Sequence, residues 1–295
     1  MKVAVIVVNY NDVEDTLTYV KEITKYDVIN KIVVVDNQST TIGALENLRE
    51  LRDEKVDVIE APLNGGYSYG NNYGVKHLNE EKEEYDYIIF SNPDITISKE
   101  AIENSLKVLE EDKNVAVVAP RMFNKDERPI RRSSWKVRTF LRDVVHSTRL
   151  LEILFYFVLR NGEYKEEDYK KEKLEVEAIS GAFFIMRKSV YDELGPFDEE
   201  TFLFYEEDIL AIKLKEKGYK TISLNTDHFI HYESQSIGKA FSYYKKLKRL
   251  YNSKIYYHTK YNNMKLGGKI IFGVLNICRK IELLVEIPAR KLLKK

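Results

Sequence analysis

Short apolar runs alternate with segments of helical spacing through the first part of the chain. Residues 3–8, 31–36, 56–61 and 87–91 form four such runs, each bounded by polar or turn residues, as buried strands are. Between them, 12–25, 43–52 and 70–78 carry apolar residues at helical spacing; 98–111 adds a helix and 115–119 a strand. This alternation predicts an α/β fold, a mostly parallel sheet with helices on both faces. The pattern returns as strand 178–186, helix 206–217 and strand 220–224.

The intervening stretch, 121–177, is rich in Arg and Lys. Within it 137–145 reads as amphipathic, and 163–173 as a solvated segment of mixed charge. Residues 150–159 are nearly all apolar, interrupted by Glu152, and too short to span a bilayer, which leaves a core helix or an interfacial one. No repeat or low-complexity linker divides the chain. The expected organisation is a main domain, 1–238, with halves 1–120 and 121–238, followed by a helical appendage, 239–295.

Charge changes this picture at the appendage. The net charge of zero over 295 residues hides an opposition: 239–295 holds 15 Lys and Arg against Glu282 and Glu286, whereas 1–238 holds 32 basic and 45 acidic residues. A basic tail on an acidic body predicts an anionic partner such as a membrane surface, or else packing on the body itself. In 269–295 the apolar run 270–278 is followed by apolar residues interspersed with Arg279, Lys280, Glu282 and Glu286. Four charges disfavour a transmembrane helix. An amphipathic helix in the membrane interface fits better, with a homodimer contact or packing on the main domain as alternatives. The lone cysteine, Cys278, allows no intramolecular disulfide, and 3–8 is too short for a signal peptide. The expected location is therefore cytoplasmic, peripheral on the cytosolic membrane face.

Candidate chemistry gathers where the strands end. Asn9-Tyr10-Asn11, Asp36-Asn37, Asn64-Gly65-Gly66 and Asn92-Pro93-Asp94 each follow a predicted strand. Loops beyond the carboxyl ends of such strands hold ligands, so the four clusters are expected to meet in one crevice. Asp94 offers the hard oxygen that Mg²⁺ or Mn²⁺ prefers, although Asn-Pro-Asp is also an ordinary turn sequence. Segment 64–74, NGGYSYGNNYG, can bring backbone N–H groups close to a phosphate or sugar. Glu206-Glu207-Asp208 opens a helix, a position its dipole favours for acids. The preceding segment, 197–205, is heavily aromatic, and carboxylates beside such walls gain the proton affinity of a general base. His231 ends another apolar stretch, where it either completes a metal site or serves the core.

In order and spacing, these segments resemble the bacterial family 2 glycosyltransferases, especially the rhamnosyltransferase-like branch. The family's V-N-Y-N is seen at Val8-Asn9-Tyr10-Asn11, its V-D-N-x-S-T at 35–40, its glycine-rich motif at 64–74 and its N-P-D at 92–94. Gly181-Ala182 with Arg187, then Gly195, Phe197-Asp198-Glu199 and Phe202, follow the family pattern, as do the acidic helix start and His231, Ser234 and Ser236. The resemblance spans roughly 3–238. It implies a GT-A type fold and an inverting, metal-dependent transfer of a sugar from a UDP- or dTDP-sugar to a hydroxyl of a glycan or lipid-linked glycan, in cell-surface polysaccharide synthesis. It further implies that Asn9, Asn11 and Asp36 hold the nucleoside, and that Asn64, Gly66, Tyr67, Asn72 and Asn92 line the donor pocket. Asp94 and His231 would bind Mn²⁺ or Mg²⁺ with the diphosphate, and Glu206, Glu207 or Asp208 would supply the base. The family's usual E-D-x-D-L reads Glu206-Glu207-Asp208-Ile209-Leu210 here. An ungapped count back from Gly218-Tyr219 favours Glu207 as base, and a shift of one residue gives Asp208.

Other classes fit less well. A nucleotidyltransferase of similar architecture would carry a G-x-G-x-R type loop after the first strand, and a dinucleotide-dependent oxidoreductase G-x-G-x-x-G; this chain has VVNYND. An inactive nucleotide-sugar-binding subunit would have lost Asp94 or the acidic helix start, and both are present. No nucleic-acid motif accompanies the basic tail.

Overall fold

The structure, a computed structural model, describes residues 1–81, 83–155, 163–232 and 243–293. Four parallel strands, β1 (Val3–Asn9), β2 (Lys31–Asp36), β3 (Val56–Glu60) and β4 (Tyr87–Ser91), form one half of a nine-stranded sheet in the order β3-β2-β1-β4. The other half continues from β4 with β10 (Phe183–Arg187), β6 (Val115–Asn124), β11 (Lys220–His231) and β5 (Ile95–Ile97), while β8 (Lys173–Val176) also pairs with β11. Strands β6 and β11 keep the direction of β1–β4, whereas β10, β5 and β8 run against it. The sheet is thus mixed and mostly parallel, as expected.

Alternation along β1 divides the core. Val3, Val5 and Val7 face the layer made by α1 (Val13–Ile23), α2 (Ala44–Arg49) and α4 (Lys99–Glu111). Ala4 and Ile6 face the layer containing α3 (Tyr67–Glu80), α7 (Lys188–Leu194) and α8 (Glu206–Glu216). Both sheet faces are covered, which is why these strands read as continuous apolar runs rather than alternating ones.

Three predicted strands differ from those observed, the first being 115–119, which continues to Asn124. The run 178–186 breaks into β9 (Ala178–Ile179), which pairs with β7 (Ser134–Trp135), and β10, which joins the large sheet. The chain changes sheets around Gly181. Strand 220–224 instead continues to His231, because a register shift between Leu224 and His228 lets the polar segment Asn225-Thr226-Asp227 pass before pairing with β6 resumes.

Segment 137–145 holds the short helix α5 (Phe140–Val145), capped by the Thr139 hydroxyl, which accepts from Arg142 N–H. Helix α6 (Arg149–Leu154) buries no residue, so the described part of the 150–159 run is not a core helix; residues 156–159 lie outside the described residues. The C-terminal region is helical as expected, with α9 (Tyr243–Tyr261) and α10 (Leu266–Leu293). Tyr257 and His258 are fully buried, so α9 packs on the body of the protein. No described helix is long and apolar enough to cross a membrane.

Candidate active site

The ends of β1 and β2 are joined by side chains. Asn9 Nδ2 donates to Asp36 Oδ1 at 2.8 Å and to Ser39 Oγ at 3.0 Å, while its Oδ1 accepts from the Thr16 hydroxyl and from Asp12 N–H. Asp36 also accepts from the Ser39 hydroxyl and N–H. Asn11, in a left-handed conformation at φ 57°, accepts from the N–H groups of Thr40 and Thr41. Asn37 donates to Asn64 Oδ1 and to Gly66 O, joining the glycine-rich segment to this network.

That segment starts α3 and presses against the loop before α8. Gly66 has φ 90°, and a Cβ there would fall 2.0 Å from Phe202 O, so the approach requires glycine. Tyr67 N–H donates to Phe202 O, and its hydroxyl donates to Gly181 O at 2.7 Å. Asn72 is a clamp: Nδ2 donates to Phe197 O and Glu199 Oε1, and Oδ1 accepts from Tyr191 and from Phe197 N–H.

Asp94 and His231, 137 positions apart in sequence, stand together. Residue 95 is paired with His231 across β5 and β11, and His231 Nε2 is 3.3 Å from Asp94 Oδ2. Ser234 and Ser236 lie outside the described residues. Asn92 N–H donates to Ala182 O, which ties the Asn-Pro-Asp loop to the Gly181 turn. One carboxylate oxygen and one imidazole nitrogen suit a divalent ion that completes its shell with phosphate oxygens, Mn²⁺ being more tolerant of nitrogen than Mg²⁺. Among the described residues, the three-residue group with ligating spacing is Asp57, His77 and Glu81. It lies at the other end of the strands, and Lys31 Nζ, 3.0 Å from Asp57 and 3.2 Å from Glu81, already supplies the cation.

The three acids at the start of α8 diverge. Phe204 and Tyr205 precede them at φ 77° and 75°, two successive bulky residues in a conformation that costs about 1–3 kcal/mol each. This strained turn aims each acid differently. Asp208 is buried, accepts from Arg138 N–H at 2.8 Å and from Trp135 Nε1 at 3.3 Å, and sits 3.4 Å from Arg138 Nε. Burial pushes its pKa up to about 6 against the opposing pull of Arg138. Glu206, half-buried, lines a small cavity with Leu194, Phe197, Asp198 and Lys213. Burial first, and then the charge of Glu207, drive its pKa well up. Glu207 is half-buried, and its Oε1 accepts from Gly181 N–H at 3.2 Å, which brings it to the turn that also meets Tyr67 and the Asn92 loop. Burial raises its pKa, with the Gly181 N–H and Arg138 opposing. A Cβ at position 181 would stand 3.2 Å from Glu207 Oε1 and from Tyr67, so the glycine that breaks the predicted strand also makes room for this carboxylate.

Sequence reasoning missed the groups behind the acids. Asp143 is fully buried; its Oδ2 accepts from the Tyr205 hydroxyl at 2.6 Å and from His258 Nε2 at 2.8 Å, and Arg138 approaches its other oxygen. Lys254, also buried, donates to Ser147 Oγ. Helix α9 reaches forward as well: the Arg249 guanidinium lies 3.5 Å over the Phe202 ring. The only hint in the sequence was a high density of basic and aromatic residues in 243–261.

Comparison with known proteins agrees with this geometry. Residues 4–195 match the Glycosyl transferase family 2. The hexosyltransferase Agl10 of low-salt glycan biosynthesis in Haloferax volcanii is 28% identical over 208 residues, 69% of this chain and 58% of that protein. The N-acetylglucosaminyl-diphospho-decaprenol L-rhamnosyltransferase of Mycobacterium tuberculosis is 22% identical over 70% of this chain and 68% of its own length. Among solved structures, the mannosyltransferase PcManGT of Pyrobaculum calidifontis, in complex with GDP-Man and Mn²⁺, superposes with a TM-score of 0.58 at 16% identity, covering 99% of this chain and 78% of that one. GalNAc-T7 with UDP, GalNAc and Mn²⁺ gives a TM-score of 0.57 at 15% identity, covering 79% and 44%. The fold is of the GT-A type.

Proposed function

The chain belongs to glycosyl transferase family 2, and from that membership we propose an inverting transfer of a sugar from a nucleoside diphosphate donor to a hydroxyl of a glycan or lipid-linked glycan. Glu207 is the base. The observation that carries this reading is the contact between Glu207 Oε1 and Gly181 N–H, which holds a half-buried carboxylate against the turn joined to both Tyr67 and the Asn-Pro-Asp loop. Asp208 is tied down by Arg138 and Trp135, and Glu206 lines a small cavity with Leu194, Phe197, Asp198 and Lys213.

In the reaction, Glu207 takes the proton from the acceptor hydroxyl as its oxygen forms a bond to the anomeric carbon. The bond from that carbon to the diphosphate breaks on the opposite side, and the electron pair leaves with the nucleoside diphosphate. Asp94 and His231 would hold the divalent ion, which supplies positive charge to the leaving group. Asp36 and Asn11 shape the nucleoside end, with Asn64, Gly66, Tyr67 and Asn92 along the donor pocket. Asn9 and Asn72, whose amides are engaged by protein groups, hold the pocket's walls in place. A raised Glu207 pKa makes the base stronger, and activity should rise with pH as it deprotonates.

Exchanging the two candidate bases tests the assignment. Glu207→Gln should lower kcat by about 10²–10⁴ with little change in donor affinity, measured by nucleotide release from a screen of UDP-, dTDP- and GDP-sugars. A comparable loss with near-normal folding in Asp208→Asn, and none in Glu207→Gln, would transfer the role to Asp208.

A further inference from the structure

Helix α10 has two apolar faces. Phe272 and Leu283 are almost fully buried against the body of the protein. On the opposite side stand Leu266, Ile270, Val274, Ile277, Ile281 and Leu284, each more than half exposed. At about 100° per residue these six fall within an arc of about 80°. An amphipathic helix ordinarily turns its second face to water with charged residues; here a continuous aliphatic stripe occupies it.

A second element extends the stripe. Leu150, Ile153 and Leu154 of α6 are each about two-thirds exposed, although α6 is a one-and-a-half-turn helix that would not hold its shape alone. Glu282 of α10 holds it there. Its carboxylate accepts from the N–H groups of Arg149 and Leu150, at 2.8 and 3.1 Å, and so caps the first turn of α6 from a neighbouring helix. Arg279 in turn pairs with Glu282 at 2.8 Å. Two exposed apolar helices locked together by a charged cap form a surface well beyond the scattered apolar residues of an ordinary exterior.

We infer that α6 and the outer face of α10 form one docking platform that lies in the interfacial layer of an anionic lipid bilayer. Charge selects this occupant. Lys269 and Lys280 are exposed along one edge of the stripe, within about 60° of it on the helical wheel, and Arg149 is exposed where α6 begins. The sequence continues with Arg290, Lys291, Lys294 and Lys295. Aliphatic side chains flanked by lysine and arginine match acyl chains beneath anionic headgroups. The helix lies along the surface, because Arg279, Lys280, Glu282 and Glu286 interrupt any apolar span. The inference stands independently of the transferase reading, since none of these residues contacts the crevice acids.

Flotation of the full-length protein with vesicles tests it. Wild type should float with phosphatidylcholine–phosphatidylglycerol vesicles at low salt, and much less with phosphatidylcholine alone or at high salt. The exposed pair Ile277→Glu with Ile281→Glu should reduce the floated fraction about tenfold or more, with unchanged circular dichroism. Lys269→Glu with Lys280→Glu should weaken binding to the anionic vesicles selectively. Wild type that stays at the bottom of the gradient overturns the inference. If light scattering then shows a dimer that the Ile277/Ile281 variant dissociates, a second copy is the occupant; a monomer leaves the platform without one. Donor hydrolysis by the Ile277/Ile281 variant, expected at the wild-type rate, separates failure of the platform from failure of the catalytic assignment.

Discussion

In the wall formed by β1, β2 and α3, most polar side chains bond to one another, while Asn37 Oδ1 and Ser68 Oγ are buried without a hydrogen-bond partner among the described residues. Asn9, Asp36, Ser39 and Thr16 form one linked set, Asn37 donates to Asn64 and Gly66, and Asn72 has both donors and both acceptor positions engaged. In the wall formed by α8 and α9, three consecutive acids follow an aromatic segment and burial pushes the pKa of all three carboxylates upward, with Asp208 anchored by Arg138. A densely bonded network resists change, whereas desolvated carboxylates are held away from their preferred state and can do proton chemistry. On the proposed assignment, the first wall is the mould and the second the reactive surface.

After the loss expected of Glu207→Gln, the largest effect should come from the carboxylate that stands against His231. Asp94→Ala should reduce donor turnover by about 10²–10³ and remove metal-dependent nucleotide binding, followed by titration with Mn²⁺ in the thermal-shift assay. Wild-type activity that survives EDTA would take the ion out of the reaction.

Next in size, Asp143→Ala removes the carboxylate that accepts from Tyr205 and His258 and lies beside Arg138. Leaving buried cationic groups without it should cost about 3–5 kcal/mol in urea unfolding. The Asp143 pKa is about 2: burial works against the carboxylate, but the His258 hydrogen bond and the Lys254 and Arg138 charges outweigh it. A depressed folded pKa means that this stabilisation is present above about pH 4 and is lost as pH falls through about 2. A variant as stable as wild type would show that α9 is held by apolar packing alone.

In the opposite wall, Asn72→Ala should cost about 1–3 kcal/mol, because Phe197 O, Glu199 and Tyr191 lose partners together. Its kcat should change less than that of Glu207→Gln. A loss of activity without loss of stability would give Asn72 a direct part in donor binding.

The smallest effect is a titration. Asp208, at about pH 6, has a folded pKa above the ordinary carboxylate value, so the folded state holds the proton more tightly than the unfolded one. Stability from this group should rise as pH falls from about 6 to about 4 and be flat above. Trp135, the sole tryptophan, donates to Asp208 and reports the event by fluorescence. The transition should vanish in Asp208→Asn, and its persistence there would assign it to another group.

Periodicity alone located β2 and β4 to the residue, because strands covered on both faces must be apolar throughout and the turns that end them are polar. The same logic placed the polar clusters at the strand ends, where Asn9 bonds to Asp36 and Asn37 to Asn64. It did not find the break at Gly181, since Ser180-Gly181 is a brief interruption in an otherwise apolar run and the close approach of Glu207 and Tyr67 to Gly181 is a tertiary contact. Nor could it foresee β11 crossing Asn225-Thr226-Asp227 to bring His231 to Asp94, because pairing across a bulge depends on the neighbouring strand. The acidic triplet was visible as composition, but three adjacent carboxylates point in three directions and only their surroundings tell base from anchor. Asp143, Arg138 and His258 are isolated in sequence and carry no motif. Their meeting is decided by how α5, α8 and α9 pack, and a buried charge acquires meaning only with the partner that chain folding brings to it.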